Sequence, residues 1–98
     1  MGFIQIIEYK TSRYDEIDAL VETFLAETDG ARTVANSTVT KDRDNANTYV
    51  TIVEFPSYED AMKNSELPQT AAMAEQMAKL CDGPPIFRNL DVVRTLEG

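Results

Sequence analysis

The sequence has no histidine and no tryptophan among its 98 residues. Histidine is the commonest metal ligand in proteins and the side chain that most readily exchanges a proton near neutral pH. Its absence excludes a histidine-ligated metal or haem, and it excludes a histidine general base. We therefore expect no metal or haem that is held by histidine.

Cysteine is almost absent as well, since Cys81 is the only one. A single cysteine cannot form an internal disulfide, and it is typical of the reducing cytoplasm, where we expect this protein. Cys81 falls on the apolar stripe of a predicted helix and is expected to be a buried core thiol. No apolar run approaches the ~20 residues that cross a membrane, so no membrane role is predicted.

Basic residues are few, with 9 Lys and Arg against 17 Asp and Glu, for a net charge of −8. This charge repels phosphate backbones and anionic lipids, which argues against nucleic-acid and membrane-surface partners. A hydrophobic content of 43% is that of an ordinary globular protein. The length predicts one domain over residues 1–98.

A short pattern occurs twice in the chain. Residues 6–9 read "IIEY" and residues 52–55 read "IVEF", so each apolar run carries a glutamate, Glu8 or Glu54, one residue before its end. A serine and an aspartate three residues later follow each run. This S-x-x-D spacing predicts a capping box at Ser12–Asp15 and another at Ser57–Asp60, each starting a helix.

Periodicity and turn residues divide the rest of the chain. Strands are predicted at 3–9, 32–41, 48–55 and 86–94, and helices at 13–28 and from about residue 58, with an interruption at 64–68 and a new helical segment from Pro68. The order β-α-β-β-α-β predicts an α+β, ferredoxin-like fold with a four-stranded antiparallel sheet. The repeat marks its two halves, and we expect the first and third strands to be central neighbours that run in parallel.

Alternation of side chains gives each central strand two apolar faces. We expect the helices to cover the face formed by Ile4, Ile6 and Glu8 with Val50, Ile52 and Glu54. The opposite face mixes aromatic residues with Gln5 and Thr51, and it is too apolar to lie bare in water. Because a large exposed apolar patch usually marks an interface, we expect a homodimer formed through this uncovered face.

Three segments resemble the antibiotic biosynthesis monooxygenase-like (ABM-like) family of dimeric α+β barrels: "KDRDNANTYV", "TYVTIVEFPSYEDAM" and "GPPIFRNLDVV". The resemblance implies sheets paired back to back into a barrel and a small pocket between each sheet and its helices. Some members of the family oxidise polycyclic phenols or quinols with O₂ and no cofactor. Others degrade haem, but that branch relies on Trp and His, where this chain has Pro56 and Asn64 or Ser65.

Glu8 and Glu54 are the candidate catalytic bases for such chemistry. If they lay in register on adjacent strands, their backbones would be roughly 5 Å apart. Like charges that close favour one carboxyl holding a proton, which suits general acid–base work. The alternative is structural, since a carboxylate beside a helix N-terminus accepts hydrogen bonds from free N–H groups.

Other polar residues are candidate ligand contacts. Asn36, Asn64 and Asn89 are expected to orient a ligand oxygen, and Arg88 is expected to bind an anion. Surface asparagines and an interface arginine are the alternatives. Three functions stay open: a cofactor-independent monooxygenase acting on an aromatic or polyketide-like molecule, a non-catalytic small-molecule binder, and a structural dimer.

Overall fold

The computed structural model describes residues 2–97, so residues 1 and 98, the two ends of the predicted domain, lie outside the described residues. The elements are β1 (Phe3–Lys10), α1 (Tyr14–Glu27), β2 (Asn36–Lys41), β3 (Thr48–Phe55), α2 (Tyr58–Ser65), α3 (Pro68–Leu80) and β4 (Ile86–Asp91). This order confirms the predicted ferredoxin-like fold. β2 begins later than predicted and β4 ends earlier. None of the helices within residues 2–97 combines the length and apolar character needed to cross a membrane.

The four strands form one antiparallel sheet in the order β2-β3-β1-β4. The expectation that the first and third strands run in parallel is therefore wrong. The α1 connection joins β1 to β2, which lies two positions away in the sheet. The β2–β3 hairpin then reverses the chain, and β3 fills the position between β2 and β1. Because a hairpin always reverses the chain, β3 must run antiparallel to β1.

The helices cover the face opposite to the predicted one. The residues of this covered face are Phe3, Gln5, Ile7 and Tyr9 in β1 and Tyr49, Thr51, Val53 and Phe55 in β3. Phe3 is 3% exposed and packs with Phe55 against Ala61 of α2, while Tyr14 of α1 stacks on Tyr49. Large rings fill the space between a sheet and its helices, so the aromatic set faces inward.

The other side of the sheet, named the open face here, carries no helix of residues 2–97. Its central residues are the half-buried Ile4, Ile6, Val50 and Ile52, and Glu8 and Glu54 lie on the same side. The predicted helix cover for this set is wrong. Both sets are apolar, and strand alternation by itself does not say which one meets the helices.

Threonine hydroxyls join the loops to the helix ends. Thr11 is 1% exposed and donates to the carbonyl of Leu80 at 2.7 Å, which ties the end of β1 to the end of α3. Thr28 is fully buried and donates to Phe24 O at 2.6 Å. These bonds satisfy hydroxyl groups that would otherwise be costly to bury.

The two predicted capping boxes have different outcomes. At α2 the serine cap is confirmed, because the Asp60 N–H donates to Ser57 Oγ at 3.1 Å. The reciprocal bond differs from the predicted one, because the Asp60 carboxylate accepts from the Ser57 hydroxyl, at 3.0 Å, rather than from a backbone N–H. At α1 the prediction is wrong, because the helix begins one residue later and Arg13 occupies the N-cap, where its side chain caps no helix N–H group. The hydroxyl of Thr11 accepts the Arg13 N–H instead, at 2.9 Å.

The difference between Ser57, which caps a helix, and Ser12, which does not, can be tested with a matched pair of variants. Ser57→Ala removes the cap of α2 and is expected to lower the free energy of unfolding by about 1 kcal/mol, the usual loss for a serine cap. Ser12→Ala removes the equivalent serine of the repeat, which is exposed, and should stay within about 0.5 kcal/mol of the parent. Urea denaturation measures both, and equal losses would contradict the assignment of the caps.

Candidate functional site

Glu8 and Glu54 lie on the open face at opposite ends of the central strand pair. Glu8 is opposite Val50, and Glu54 is opposite Ile4. Val50 and Glu54 are four positions apart in β3, or about 13 Å along the strand. The expected separation of roughly 5 Å is therefore wrong, since it followed from parallel strands. The two carboxylates do not form the close pair that would favour sharing a proton.

Glu54 has a partner on the neighbouring strand. The amide of Asn36 donates to Glu54 Oε2 at 3.0 Å, and the two residues are opposite each other in the β2–β3 register. The side chain is turned away from the helices, so it accepts this amide rather than a helix N–H. The geometry thus brings together two of the predicted site residues.

Arg88 also belongs to the open face. It is opposite Ile6 in the β1–β4 register, between Ile86 and Leu90, which are 51% and 41% exposed. The open face thus has an aliphatic centre, with Arg88 on its β4 side and Glu8 and Glu54 toward the ends of the strands. An apolar centre with polar groups around it is the usual anatomy of a protein interface.

Asn89 and Asn64 lie on the helix side of the sheet. Asn89 is opposite Gln5 and accepts a hydrogen bond from its amide at 3.2 Å. Asn64 lies on α2, three residues beyond Ala61, and is 9% exposed. The predicted site residues are therefore divided by the sheet, with Asn64 and Asn89 on one side and the remaining four on the other.

Asn64 has an unusual environment. Its Oδ1 atom is buried and has no hydrogen-bond partner within the described chain, whereas its backbone carbonyl accepts a bond from the Thr70 hydroxyl at 2.7 Å. Leaving a buried acceptor unpaired costs about 1–3 kcal/mol, and nearly all such groups in native proteins have a partner. Among the described residues, Asn64 Oδ1 is thus a buried side-chain oxygen for which the chain itself supplies no donor.

Sequence reasoning missed a stack of three tyrosines at one end of the sheet. The Tyr9 and Tyr49 rings are 5.7 Å apart between centroids, and the Tyr49 and Tyr14 rings are 4.5 Å apart. Burial raises the pKa of Tyr9, partly offset by a hydrogen bond with Thr51. The strand pattern already placed Tyr9 and Tyr49 on one face, but only antiparallel pairing brings them side by side.

Two hollows are formed by side chains other than Asn64. A cavity of about 330 Å³ opens between α1 and α3, and the side chains that line it include Leu20, Phe24 and Met73. A smaller crevice of about 200 Å³ lies at the end of the sheet between Glu8 and Gly83.

Cys81, at the end of α3, is half-buried, and burial raises the pKa of its thiol. Across residues 2–97, no three His, Cys, Asp or Glu side chains are grouped as metal ligands.

Comparison with known proteins identifies the fold. No protein-family model and no curated protein matches the sequence. SnoaB, a cofactor-independent oxygenase from Streptomyces nogalater, superposes with a TM-score of 0.81 at 14% identity, over 99% of this chain and 98% of that chain. Rv0793 from Mycobacterium tuberculosis gives 0.80 at 12% identity, over 99% and 100%.

A third solved structure is that of a Caulobacter crescentus CB15 protein assigned to the antibiotic biosynthesis monooxygenases. It gives a TM-score of 0.77 at 14% identity, over 95% of this chain and 92% of that one. All three superpositions cover almost the whole of both chains. The chain therefore has the fold of the ABM-like proteins, which confirms the resemblance first read from its sequence.

Proposed function

We propose that this chain is a small homodimeric ABM-like protein that binds an aromatic or polyketide-like molecule, and that it oxygenates this molecule with O₂ and no cofactor. One observation carries the binding part of the proposal: the buried, unpartnered Oδ1 of Asn64 on the helix side of the sheet. The fold adds support, since SnoaB has the same fold and is a cofactor-independent oxygenase.

The chemistry of Asn64 suits a phenol or quinol. A carbonyl oxygen in a buried place accepts a hydrogen bond from a hydroxyl group, and Ala61, one turn earlier on α2, packs against the rings of Phe3 and Phe55. A flat aromatic molecule with a hydroxyl group would satisfy the acceptor and bury its rings among apolar side chains. Ligand sites combine a mostly apolar lining with a few polar groups in this way.

Oxygenation also needs a base, because an electron-rich phenol reacts with O₂ after it loses a proton. Glu54, held by Asn36, and Glu8 remain the proposed bases. Since both lie on the open face, either one acts only on a molecule that reaches the space beside that face. A second copy of the chain, which would cover the open face, is therefore part of the proposal.

The open face supports the proposed homodimer. Ile4, Ile6, Val50 and Ile52 form an apolar centre that no helix covers, with charged residues around it. The same face of a second copy would cover this centre by two-fold symmetry and exclude water from the carboxylates.

The alternative is a non-catalytic binder, and one observation favours it. Asn64 and the two glutamates lie on opposite sides of the sheet. A ligand held by Asn64 within one chain is thus out of reach of both proposed bases. Binding needs only the Asn64 side, whereas turnover needs a carboxylate as well.

Asn64→Leu separates a ligand contact from a structural residue. The change replaces an unpaired acceptor by an apolar side chain of similar size, so the melting temperature should stay or rise, by about 4 °C or more for each kcal/mol gained. Ligand binding and O₂ uptake with a panel of hydroquinones and anthrones should fall at the same time. Lys63→Leu, at an exposed position of the same helix, is the control and should leave uptake unchanged.

Glu54→Gln then distinguishes enzyme from binder. Uptake of O₂ that is lost in this variant, while ligand still binds, supports an enzyme with a carboxylate base. Saturable binding without O₂ uptake by the parent protein supports the binder. An Asn64→Leu variant that loses stability and keeps full binding would contradict the proposed site.

A further inference from the structure

We propose that Tyr14 and Tyr49 form an oxidative modification site, at which a one-electron oxidant joins the two rings into a dityrosine link between α1 and β3. The site goes beyond the proposed function, since it requires neither ligand binding nor oxygenase activity. It lies at the Tyr9 end of the sheet, whereas Asn64 lies on α2 with the Phe3 and Phe55 end.

The rings of Tyr14 and Tyr49 are placed for coupling. Their centroids are 4.5 Å apart and their planes differ by 16°, so the two rings are stacked face to face. Tyr9 also stacks on Tyr49, but at 5.7 Å and an angle of 18°. Tyr9 is 4% exposed, whereas Tyr14 and Tyr49 are both partly exposed. Distance and access therefore both select the Tyr14–Tyr49 pair.

The composition of the chain makes tyrosine rings the expected site of one-electron oxidation. There is no tryptophan, so the four tyrosines are the easily oxidised aromatic side chains. The remaining one, Tyr58, is 54% exposed and meets Phe3 edge-on, at 5.4 Å between centroids and 76° between planes. Tyr58 is thus an accessible tyrosine that the structure does not stack on another tyrosine.

The coupling step balances as follows. Each phenol loses one electron to the oxidant and one proton, which gives two phenoxyl radicals. The radicals form one carbon–carbon bond between ring positions next to the oxygens, and the hydrogens on those carbons move to the oxygens as the rings regain aromaticity. The link costs the protein two electrons and two protons. Burial and the charge of Asp18, one turn along α1, raise the pKa of Tyr14, and both protons are released to water.

The test uses the full chain with Cys81→Ser, so that thiol oxidation does not compete. The dilute protein is illuminated with a ruthenium tris-bipyridyl sensitiser, whose photogenerated Ru(III) form takes the electrons and is regenerated by persulfate. We expect dityrosine fluorescence in the monomer band on a denaturing gel. Peptide mapping should show the Tyr14 and Tyr49 peptides joined with a loss of two hydrogens, and the linked protein should melt at a higher temperature.

The variants form a matched series. Tyr14→Phe and Tyr49→Phe should each lose the link, while Tyr58→Phe and Tyr9→Phe should keep it. A link through Tyr58 or between Tyr9 and Tyr49, links found only between chains, or tyrosine oxidation without any link would each overturn the proposal. The peptide map of the parent protein identifies the linked residues directly, so the proposal is tested even if one variant fails to fold.

Discussion

Phe3→Ala is expected to lower the free energy of unfolding by about 3–5 kcal/mol, the usual range for a buried phenylalanine. Phe3 is 3% exposed, and its ring contacts both Phe55 and Tyr58, with centroids 6.4 Å and 5.4 Å apart. Alanine would leave a cavity where β1, β3 and α2 meet. Domains of this size have about 5–15 kcal/mol of stability, so the loss should be visible in urea denaturation as a large fall of the midpoint.

Phe87→Ala is the matched control for this substitution. Phe87 lies in β4, opposite Ile7 of β1, so it faces the helix side like Phe3. On this edge strand, however, Phe87 is 53% exposed. We expect a loss of about 1 kcal/mol or less, because little apolar surface leaves the interior. Equal losses for the two variants would contradict the position of the core at the Phe3 end of the sheet.

Local signals in the sequence were sufficient for the elements and their order. β3 was predicted with its observed limits, because a run of β-branched and aromatic residues is bounded by the polar turn at 42–47 and by Pro56. Pro68 likewise marks the start of α3, where its fixed φ angle suits a first helical turn. Such features depend on neighbouring residues alone and can be read without the fold.

The pairing of strands and the choice of face depend on the whole chain. Direction follows from how the α1 connection and the β2–β3 hairpin combine, and the repeated glutamates gave no information about it. Both faces of β1 and β3 are apolar, so only the packing of Phe3 and Phe55 under α2 shows which one is inside.

The candidate site was predictable only in part. The pattern singled out Asn64, yet the reason for attention, an acceptor that lacks a partner when buried, exists only after folding. Glu54 and Asn36 were named separately, and the β2–β3 register shows that they form one pair. The tyrosine stack depends on the antiparallel register in the same way, since Tyr9 and Tyr49 are 40 residues apart in the chain.

Ile52→Glu is expected to convert the proposed homodimer into a monomer. Ile52 lies in the centre of the open face between Ile6 and Thr38. Two-fold symmetry would bury two new carboxylates, and each unpaired charge costs several kcal/mol. Since every 1.4 kcal/mol is a tenfold change, the dissociation constant should rise by about 10²-fold or more. Ile6 is a poorer choice for this test, because Arg88 lies directly opposite and would pair with the new charge.

Sedimentation at micromolar concentration measures this change, with circular dichroism as the check on folding. Leu25→Glu is the control, because Leu25 is an apolar residue of α1 that is already 40% exposed, away from the open face. We expect the Leu25 variant to remain dimeric and the Ile52 variant to sediment as a folded monomer. A parent protein that is monomeric would contradict the homodimer itself. A dimer that survives Ile52→Glu would mean that the chain associates through another surface, and the proposed bases Glu8 and Glu54 would then lie on a face open to water.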